Sequence, residues 1–424
     1  MDEIKLYKIK KIDNSIVYNF SVNGDISKYF SGKEFKISYP ESIEAVPDSI
    51  ASIPFVCSVL PIVWITNASL VISKLDFAFY KSIFDFKKGY QEMFPETVFG
   101  GKITVKSVEK NYYANTDKAA MFYSGGLDSM QTFISHLKEK PILLAIWGSD
   151  IEYNNIEGWN LVYTGVKETA KKYCLNSAVI HSSFREFDNE GLLNKFFSSQ
   201  LKDDWWHGVK HGISLLGHVA PYAWIHQINN MYIAATNCYA DGKVRCASNP
   251  IIDNYVRFAS CRVVHDGFEY NRQEKVHNLV KFCNEKHDYI HLHVCWQSQS
   301  GTNCCCCEKC YRTIAELIVE GENPENYGFE ITKKSMKQMR TFIIDNKAKY
   351  SQNLKNHWKY TSQIAKLNEK NIKKNKYYKE IKWIINSDFN HPESLCLPIT
   401  TILYRKMYSM IYRLKCLLKS VRLI

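Results

Sequence analysis

The sequence predicts an α/β protein built around a Rossmann-like parallel sheet. From about residue 116, short apolar runs alternate with longer helical stretches, which is the pattern of strands and crossover helices in such a sheet. The chain has 424 residues, of which 46% are hydrophobic, so it can bury a large core and form two or three domains. The predicted strands are Ala119–Tyr123, Ile142–Trp147, Ala178–His181, Tyr232–Thr236 and Ile290–Val294.

We expect three regions along the chain. Residues 1–115 form an N-terminal α/β domain of unknown role, with strand-like runs at Ile16–Phe20 and Glu34–Ser38. Residues 116–330 form the domain with the parallel sheet, and residues 331–424 form a basic helical C-terminal region. The apolar stretch Ile53–Ile72 is interrupted by proline and polar residues, so we interpret it as buried core rather than a transmembrane helix.

The net charge of +12 is concentrated in the C-terminal region. Residues 331–424 carry 21 Lys and Arg against 5 Asp and Glu, whereas residues 1–330 carry 34 against 38. A basic overall charge is therefore no evidence for a nucleic-acid-binding core. The last segment, from Pro398 to Ile424, has the spacing of a basic amphipathic helix. It is predicted to dock on the protein itself, to lie on an anionic membrane or to hold an acidic partner such as RNA, and the pattern favours the membrane over sequence-specific RNA binding. Apolar residues of this predicted helix recur at Ile399, Leu403, Met407, Met410, Leu414, Leu417 and Val421, and other positions are filled by basic residues that include Arg405, Lys406, Arg413, Lys419 and Arg422.

The chain has 14 cysteines, and five of them fall between Cys304 and Cys310. The sequence begins with acidic residues and shows no signal peptide, so we expect a reducing, cytoplasmic setting with a metal site rather than disulfides. The spacing Cys295-x8-Cys304-x2-Cys307-x2-Cys310 suits four thiolates around a structural Zn²⁺. Other selections among the five cysteines, and an iron–sulfur cluster, also fit the spacing.

A glycine-containing segment lies where the first predicted strand ends and a helix begins. It reads Phe-Tyr-Ser-Gly-Gly-Leu-Asp-Ser over residues 122–129. The glycines let the backbone approach an anion, and backbone N–H groups converge at the start of the helix. No Gly-Lys-Ser/Thr follows, so this is not a Walker A loop. The predicted phosphate-binding residues are Ser124, Gly125, Gly126, Leu127, Asp128 and Ser129.

The strand–SGGLDS–helix unit resembles the loop of the PP-loop (N-type) ATP pyrophosphatase superfamily. In that superfamily the loop grips the pyrophosphate of ATP while a substrate oxygen is adenylated, and a nucleophile then displaces AMP. The resemblance implies ATP and Mg²⁺ as cofactors, with catalytic roles for Ser124 and Asp128. Lys309, inside the cysteine segment, is a further catalytic candidate because it could approach the nucleotide.

The loop together with the downstream cysteines and Arg312 resembles the 7-cyano-7-deazaguanine synthase family over residues 116–320. That family of the queuosine pathway uses ATP and ammonia to convert a deazaguanine carboxylate to a nitrile. The resemblance implies zinc on Cys295, Cys304, Cys307 and Cys310. The chain departs from the family in its long N-terminal segment and basic tail, and its layout looks more like longer synthase-like proteins of bacterial surface-polysaccharide or defence gene neighbourhoods.

Four further residues are candidates for contacting a substrate. Trp206 could stack on a planar ring, and His211 follows His207 by one helical turn. Asp253 lies in a polar turn, and Arg272 could face phosphates or a carboxylate. For each of them, ordinary packing or a solvated surface is an alternative.

The sequence thus predicts an ATP-dependent ligase that adenylates a carboxylate or carbonyl oxygen on a small, deazapurine-like substrate and adds ammonia or an amine. One alternative is a tRNA-modifying, thiolating enzyme, for which Cys238 or Cys246 would be the catalytic cysteine. Another is an ATP-binding scaffold in a surface-polysaccharide or defence system. We expect a cytoplasmic protein, peripheral to a membrane if the tail binds one, with a homodimer as an open possibility.

Overall fold

The computed structural model describes most of the chain. The described residues are 2–389, 391, 395, 397, 399, 402–403 and 406–411. The chain divides into two compact units, Met1–Cys304 with Asn326–Gly328, and Cys305–Glu325 with Phe329–Ile424.

The first unit contains a mixed sheet of eleven strands. Its order is β10-β11-β9-β6-β7-β8-β3-β2-β1-β4-β5. The strands are β1 (Glu3–Ile12), β2 (Ser15–Asn23), β3 (Phe35–Ser38), β4 (Ser69–Asp76), β5 (Lys102–Glu109), β6 (Ala119–Phe122), β7 (Ile142–Trp147), β8 (Ser177–Ser182), β9 (Asn230–Ala234), β10 (Arg257–Phe258) and β11 (Cys261–Asp266).

Strands β11, β9, β6, β7 and β8 are neighbours and run parallel. This confirms the predicted parallel sheet. The chain moves outward from β6 through β7 to β8 and then returns to the other side of β6 at β9, so the order of the strands reverses at β6. Ligands of such sheets bind beside the carboxyl ends of the strands at this reversal. The sheet also continues through β3, β2, β1, β4 and β5, across the predicted boundary near residue 115.

The predicted strand at Ile290–Val294 is wrong. The segment has no strand geometry and is not part of the sheet. Its backbone is instead paired with loops: the N–H groups of Leu292 and His293 donate to the carbonyls of Tyr327 (3.0 Å) and Gly125 (2.8 Å). An apolar run alone does not distinguish a ladder strand from a buried segment held by loops.

Helices cover the sheet and form most of the second unit. They are α1 (Asp48–Ala51), α2 (Ile53–Ile65), α3 (Phe77–Met93), α4 (Leu127–His136), α5 (Ile156–Lys172), α6 (Glu190–Leu201), α7 (His211–His226), α8 (Pro250–Asp253), α9 (Arg272–Lys286), α10 (Glu308–Val319), α11 (Lys333–Asn346), α12 (Gln352–Leu367), α13 (Glu369–Ile372) and α14 (Tyr378–Ile385). A π-helical turn, Trp206–Lys210, leads directly into α7.

One stretch of the described residues, Asp48–Ile65, is long and apolar enough to cross a membrane. It is 89% buried inside the protein, as expected for a core element. Its second part, α2, is buried along almost its whole length, which confirms that the N-terminal half of Ile53–Ile72 is core. Helices α2 and α7 pack closely, and Gly217 of α7 lies against Cys57 of α2.

The second unit has its own core. Trp358 of α12 is fully buried, stacks on Phe389 and donates from its indole N–H to Glu308 of α10 (2.9 Å). Glu308 also pairs with Arg312 one turn along the same helix (3.2 Å). The predicted amphipathic helix at Pro398–Ile424 falls largely outside the described residues. Its described apolar members Ile399, Leu403, Met407 and Met410 are exposed, and its remaining apolar and basic positions other than Lys406 lie outside the described part of the chain.

Candidate functional site

The SGGLDS segment connects the end of β6 to the start of α4. Gly125 has a φ of +74°, a conformation that favours glycine, and Gly126 is the N-cap of α4. The Ser129 hydroxyl donates to the Gly126 carbonyl (2.9 Å), and the Gly126 N–H donates to the Ser124 hydroxyl (3.3 Å). The predicted placement between a strand and a helix is confirmed. The helix N-terminus and the adjacent backbone give this loop the means to bind an anion.

His293 holds the loop from the opposite side. Its N–H donates to the Gly125 carbonyl, and its own carbonyl would lie 3.3 Å from a Cβ at Gly126. The segment predicted to be a strand therefore closes over the loop instead. No local pattern in the sequence indicates this contact, because 167 positions separate His293 from Gly126.

Two buried cations from the first turn of α9 face Asp128. Lys275 Nζ lies 3.2 Å from Asp128 Oδ1 and also donates to the carbonyl of Ala235 just after β9. Arg272 Nη1 lies 3.7 Å from Asp128 Oδ2. Burial of both side chains, 2% exposed for Arg272 and 1% for Lys275, means that their charges are weakly screened by water. Together with the α4 N-terminus, they make the loop a favourable place for a phosphate group.

A cleft with a volume of about 120 Å³ opens beside the loop, at the carboxyl ends of β6 and β7. Its walls are mainly apolar, and Ser124 and His293 lie at the loop side. Its lining residues are Phe122, Tyr123, Ser124, Leu144, Ala145, Ile146, Ser149, Asp150, Ile151, Trp159, Val162, Leu215 and His293. An apolar cleft joined to a few polar groups is the usual form of a small-molecule site.

A row of stacked rings continues outward from Trp159 of the cleft wall. Trp159 is parallel to Trp147 (centroids 5.4 Å apart, 2° between planes), and Trp147 stacks on His181 (3.8 Å). His181 stacks in turn on Tyr153 (4.2 Å). Burial lowers the pKa of His181, so the ring is neutral at neutral pH. The row therefore extends from the cleft wall as four rings packed face to face.

The structure separates the candidate substrate residues. Arg272 lies at the SGGLDS loop, beside Asp128. Trp206 packs beneath Arg185, whose guanidinium carbon is 4.1 Å from the indole centroid, and His211 lies 5.7 Å from the same indole. Asp253 is fully buried: it accepts a hydrogen bond from Ser248 (2.6 Å) and is paired with His265 Nδ1 (2.8 Å). Trp206, His211 and Asp253 are absent from the cleft wall, so a direct substrate role for them stays a prediction.

The predicted set Cys295, Cys304, Cys307 and Cys310 comes together. Their sulfur atoms all lie within 4.8 Å of one another, the grouping that a tetrahedral metal ion requires. Cys307 is also the N-cap of α10, where its sulfur accepts from the Cys310 N–H (3.4 Å). The neighbouring Cys306 is exposed and takes no part in the group. The site can hold a metal such as zinc, and four thiolates suit a structural ion with no open position.

Asn303 fixes the start of this metal segment, a role that the sequence analysis missed. Its carbonyl oxygen accepts from the N–H groups of Val294 (3.0 Å) and Cys295 (3.3 Å), and its amide donates to the carbonyl of Leu292 (2.7 Å). The asparagine thereby ties together two ends of the segment that carries the first two cysteines. Lys309 lies in the first turn of α10, and its proposed approach to a nucleotide stays a prediction.

Comparisons with known proteins identify no relative. No protein-family model, no curated protein and no solved structure matches the chain.

Proposed function

We propose that the protein is an adenylate-forming ligase that uses ATP to activate a carboxylate or carbonyl oxygen and then transfers the activated carbon to ammonia or an amine. The observation that carries the proposal is the SGGLDS loop at the reversal point of a parallel sheet, with Lys275 and Arg272 converging on it. A site that binds the pyrophosphate of ATP while the α-phosphate reacts needs this combination of backbone N–H donors, cationic side chains and a helix N-terminus.

Each element of the loop has a distinct part in the proposal. Backbone N–H groups around Gly125 and Gly126 would hold the pyrophosphate, and the Ser124 and Ser129 hydroxyls would add hydrogen bonds. Asp128 would bind Mg²⁺, or it would hold the loop against α9 through its ion pairs with Lys275 and Arg272. Catalysis would come from positioning and from stabilising the negative charge that develops on the phosphates.

The cleft supports a flat heterocyclic acceptor. Trp159 forms part of its wall and continues into the stacked row with Trp147, and the remaining lining is mostly apolar. A planar deazapurine carboxylate, 7-carboxy-7-deazaguanine, fits this chemistry and agrees with the family resemblance. The four-cysteine site would carry a structural zinc that fixes the segment between Cys295 and α10.

Pyrophosphate–ATP exchange tests the proposal. The zinc-loaded full chain is assayed with and without 7-carboxy-7-deazaguanine, next to Asp128→Ala and to Asp85→Ala, which alters an exposed carboxylate on α3. We expect exchange that depends on the deazaguanine and is lost only in Asp128→Ala. Exchange without the deazaguanine, lost in the same variant, would keep adenylation and replace the acceptor. Tight ATP binding with no exchange would contradict an adenylating enzyme and favour the ATP-binding scaffold.

A further inference from the structure

A second group of reactive side chains lies at the start of α7, apart from both the metal site and the phosphate loop. Asp203 Oδ2 is 2.6 Å from His207 Nδ1, so this carboxylate occupies one nitrogen of the imidazole. His207 and His211 lie one helical turn apart with nearly parallel rings, 6.0 Å between centroids. The thiol of Cys246, which arrives from the loop after β9, lies beside both imidazoles and interacts electrostatically with them.

The fold fixes Cys246 against these histidines. The N–H of Ala247 donates to the carbonyl of His207 (2.7 Å), and the N–H of Cys246 donates to the sulfur of Met93 (3.2 Å). Gly212 completes the fit, because a Cβ there would lie 2.4 Å from the Ala247 carbonyl oxygen. The π-helical turn before α7 adds a residue to the helix at this point, a feature often found at functional sites.

The surroundings favour a thiolate on Cys246. Burial alone raises the pKa of this thiol, but the charge of His211 and hydrogen bonds from His207 and His211 outweigh it and lower the pKa to about 6. The hydrogen bond with Asp203 raises the pKa of His207, so this imidazole stays protonated beside the thiolate. Other titratable groups around the pair are Tyr90 of α3, Asp253 of α8 and Asp204, whose Oδ1 accepts from the His207 backbone N–H (2.7 Å).

This group is better suited to nucleophilic chemistry than to a metal. Among the described residues, the four cysteines of the metal site are the group with metal-ligand spacing, and Cys246 is not part of one. Asp203, His207 and Cys246 instead form the sequence of orienting acid, base and nucleophile used in acyl transfer. Cys246 is buried, with 3% of its surface exposed, whereas 46% of the His207 side chain is exposed. The pair therefore runs from the protein surface at His207 to a buried thiol at Cys246.

The group also lies near the cleft. His211 and Leu215 occupy successive turns of one face of α7, and Leu215 lines the cleft. The two sites therefore share one helix at the carboxyl edge of the sheet.

We propose that Cys246 is the nucleophile of an amide-hydrolysing site, with His207 as its acid–base group and Asp203 as a positioning residue, and that it releases ammonia from a primary carboxamide such as the side chain of glutamine. This inference rests on the proposed function, since ammonia is the nitrogen nucleophile which that reaction consumes.

The reaction proceeds in two balanced steps. The Cys246 thiolate attacks the carboxamide carbon, and the carbonyl electron pair moves to oxygen. As that pair returns, the C–N bond breaks, the His207 imidazolium gives its proton to the nitrogen, ammonia leaves and a thioester remains. Water then attacks the thioester, His207 accepts a proton from it, and the C–S bond breaks to restore the thiolate and free the carboxylic acid.

Ammonia release from L-glutamine by the full, metal-loaded chain tests the proposal without ATP. We expect Cys246→Ser to abolish release and His207→Gln to lower it by about a hundredfold. Asp203→Asn should also lower it and should shift its pH profile, because the imidazole loses its orienting charge. Cys174→Ser, which changes an exposed cysteine, serves as the control and should release ammonia at the normal rate. As a second readout on the unmutated chain, the glutamine analogue 6-diazo-5-oxo-norleucine should label Cys246, located by peptide mass.

The outcomes separate this proposal from the adenylation proposal. Ammonia release that is lost in Cys246→Ser but kept in Asp128→Ala supports it, whatever the pyrophosphate exchange shows. No release above the Cys246→Ser background from either glutamine or asparagine, with Cys246 unlabelled, overturns it. Labelling of Cys246 by a simple alkylating reagent without ammonia release also overturns it, because a reactive thiolate that handles no amide would suit another task, such as sulfur transfer.

Discussion

Replacing Gly212 with alanine would place a Cβ 2.4 Å from the Ala247 carbonyl oxygen and 2.9 Å from the Cα of Ser248. These are backbone atoms, so they cannot rotate away and the loop that carries Cys246 must shift. Overpacking of this kind costs about 1–3 kcal/mol. The same change gains at most about 1 kcal/mol from the better helix propensity of alanine.

Gly165 of α5 provides a matched control, because a Cβ there meets nothing within 4 Å. Gly165→Ala has the helix-propensity gain without the steric cost. The difference in the free energy of unfolding between the two variants therefore isolates the contact between α7 and the Cys246 loop. We expect this difference to be about 1–3 kcal/mol.

Urea unfolding, followed by fluorescence, measures this difference. Gly165→Ala should unfold at a urea concentration equal to or higher than that of the unmodified chain. Gly212→Ala should unfold at a lower urea concentration. Gly212→Ala should also slow alkylation of Cys246 near neutral pH, because the displaced thiol loses its histidine partners. If both variants shift unfolding equally upward, the loop does not lie against α7 as described.

Three further outcomes follow from the same structure. Cys307→Ser should reduce the bound metal, measured by elemental analysis of the purified protein, to near zero, whereas Cys306→Ser should leave it unchanged; equal loss in both would contradict the four-cysteine set. Lys275→Met should lower pyrophosphate–ATP exchange by about a hundredfold, whereas Lys281→Met, on an exposed position of the same helix, should not; equal rates would remove Lys275 from the phosphate site. Alkylation of Cys246 by iodoacetamide should stay nearly constant from about pH 8 to 7 and fall as the pH drops through about 6, since its lowered pKa keeps it ionised above that value; a rate that already falls several-fold between about pH 8 and 7 would show an ordinary thiol.

Local patterns predicted the parts of the site whose residues are close in sequence. The SGGLDS loop lies within six positions, and its place between β6 and α4 follows from one strand and one helix signal. The four cysteines lie within sixteen positions, from Cys295 to Cys310, and their spacing selected the set that the structure brings together. In both cases the residues that act together are neighbours along the chain, so no knowledge of tertiary packing was needed.

The missed features depend on long-range packing. His293 reaches Gly125 across 168 positions, and Cys246 reaches His207 across 39. Their spacing in the sequence indicates that His207 and His211 form a pair. Cys246 stands apart as a separate thiol, because no local signal links the loop after β9 to the π-helical turn. The apolar run Ile290–Val294 was wrongly assigned for the same reason: its burial is real, but loops rather than strands satisfy its backbone.

The oxygen that leaves with AMP tests the central claim most directly. The full chain is supplied with ATP, ammonia and 7-carboxy-7-deazaguanine whose carboxylate is labelled with oxygen-18, and the AMP is examined by mass spectrometry. If the carboxylate is adenylated at the SGGLDS loop, AMP acquires one labelled oxygen, and Asp128→Ala forms none. AMP without the label, or ADP and phosphate in its place, would contradict the account.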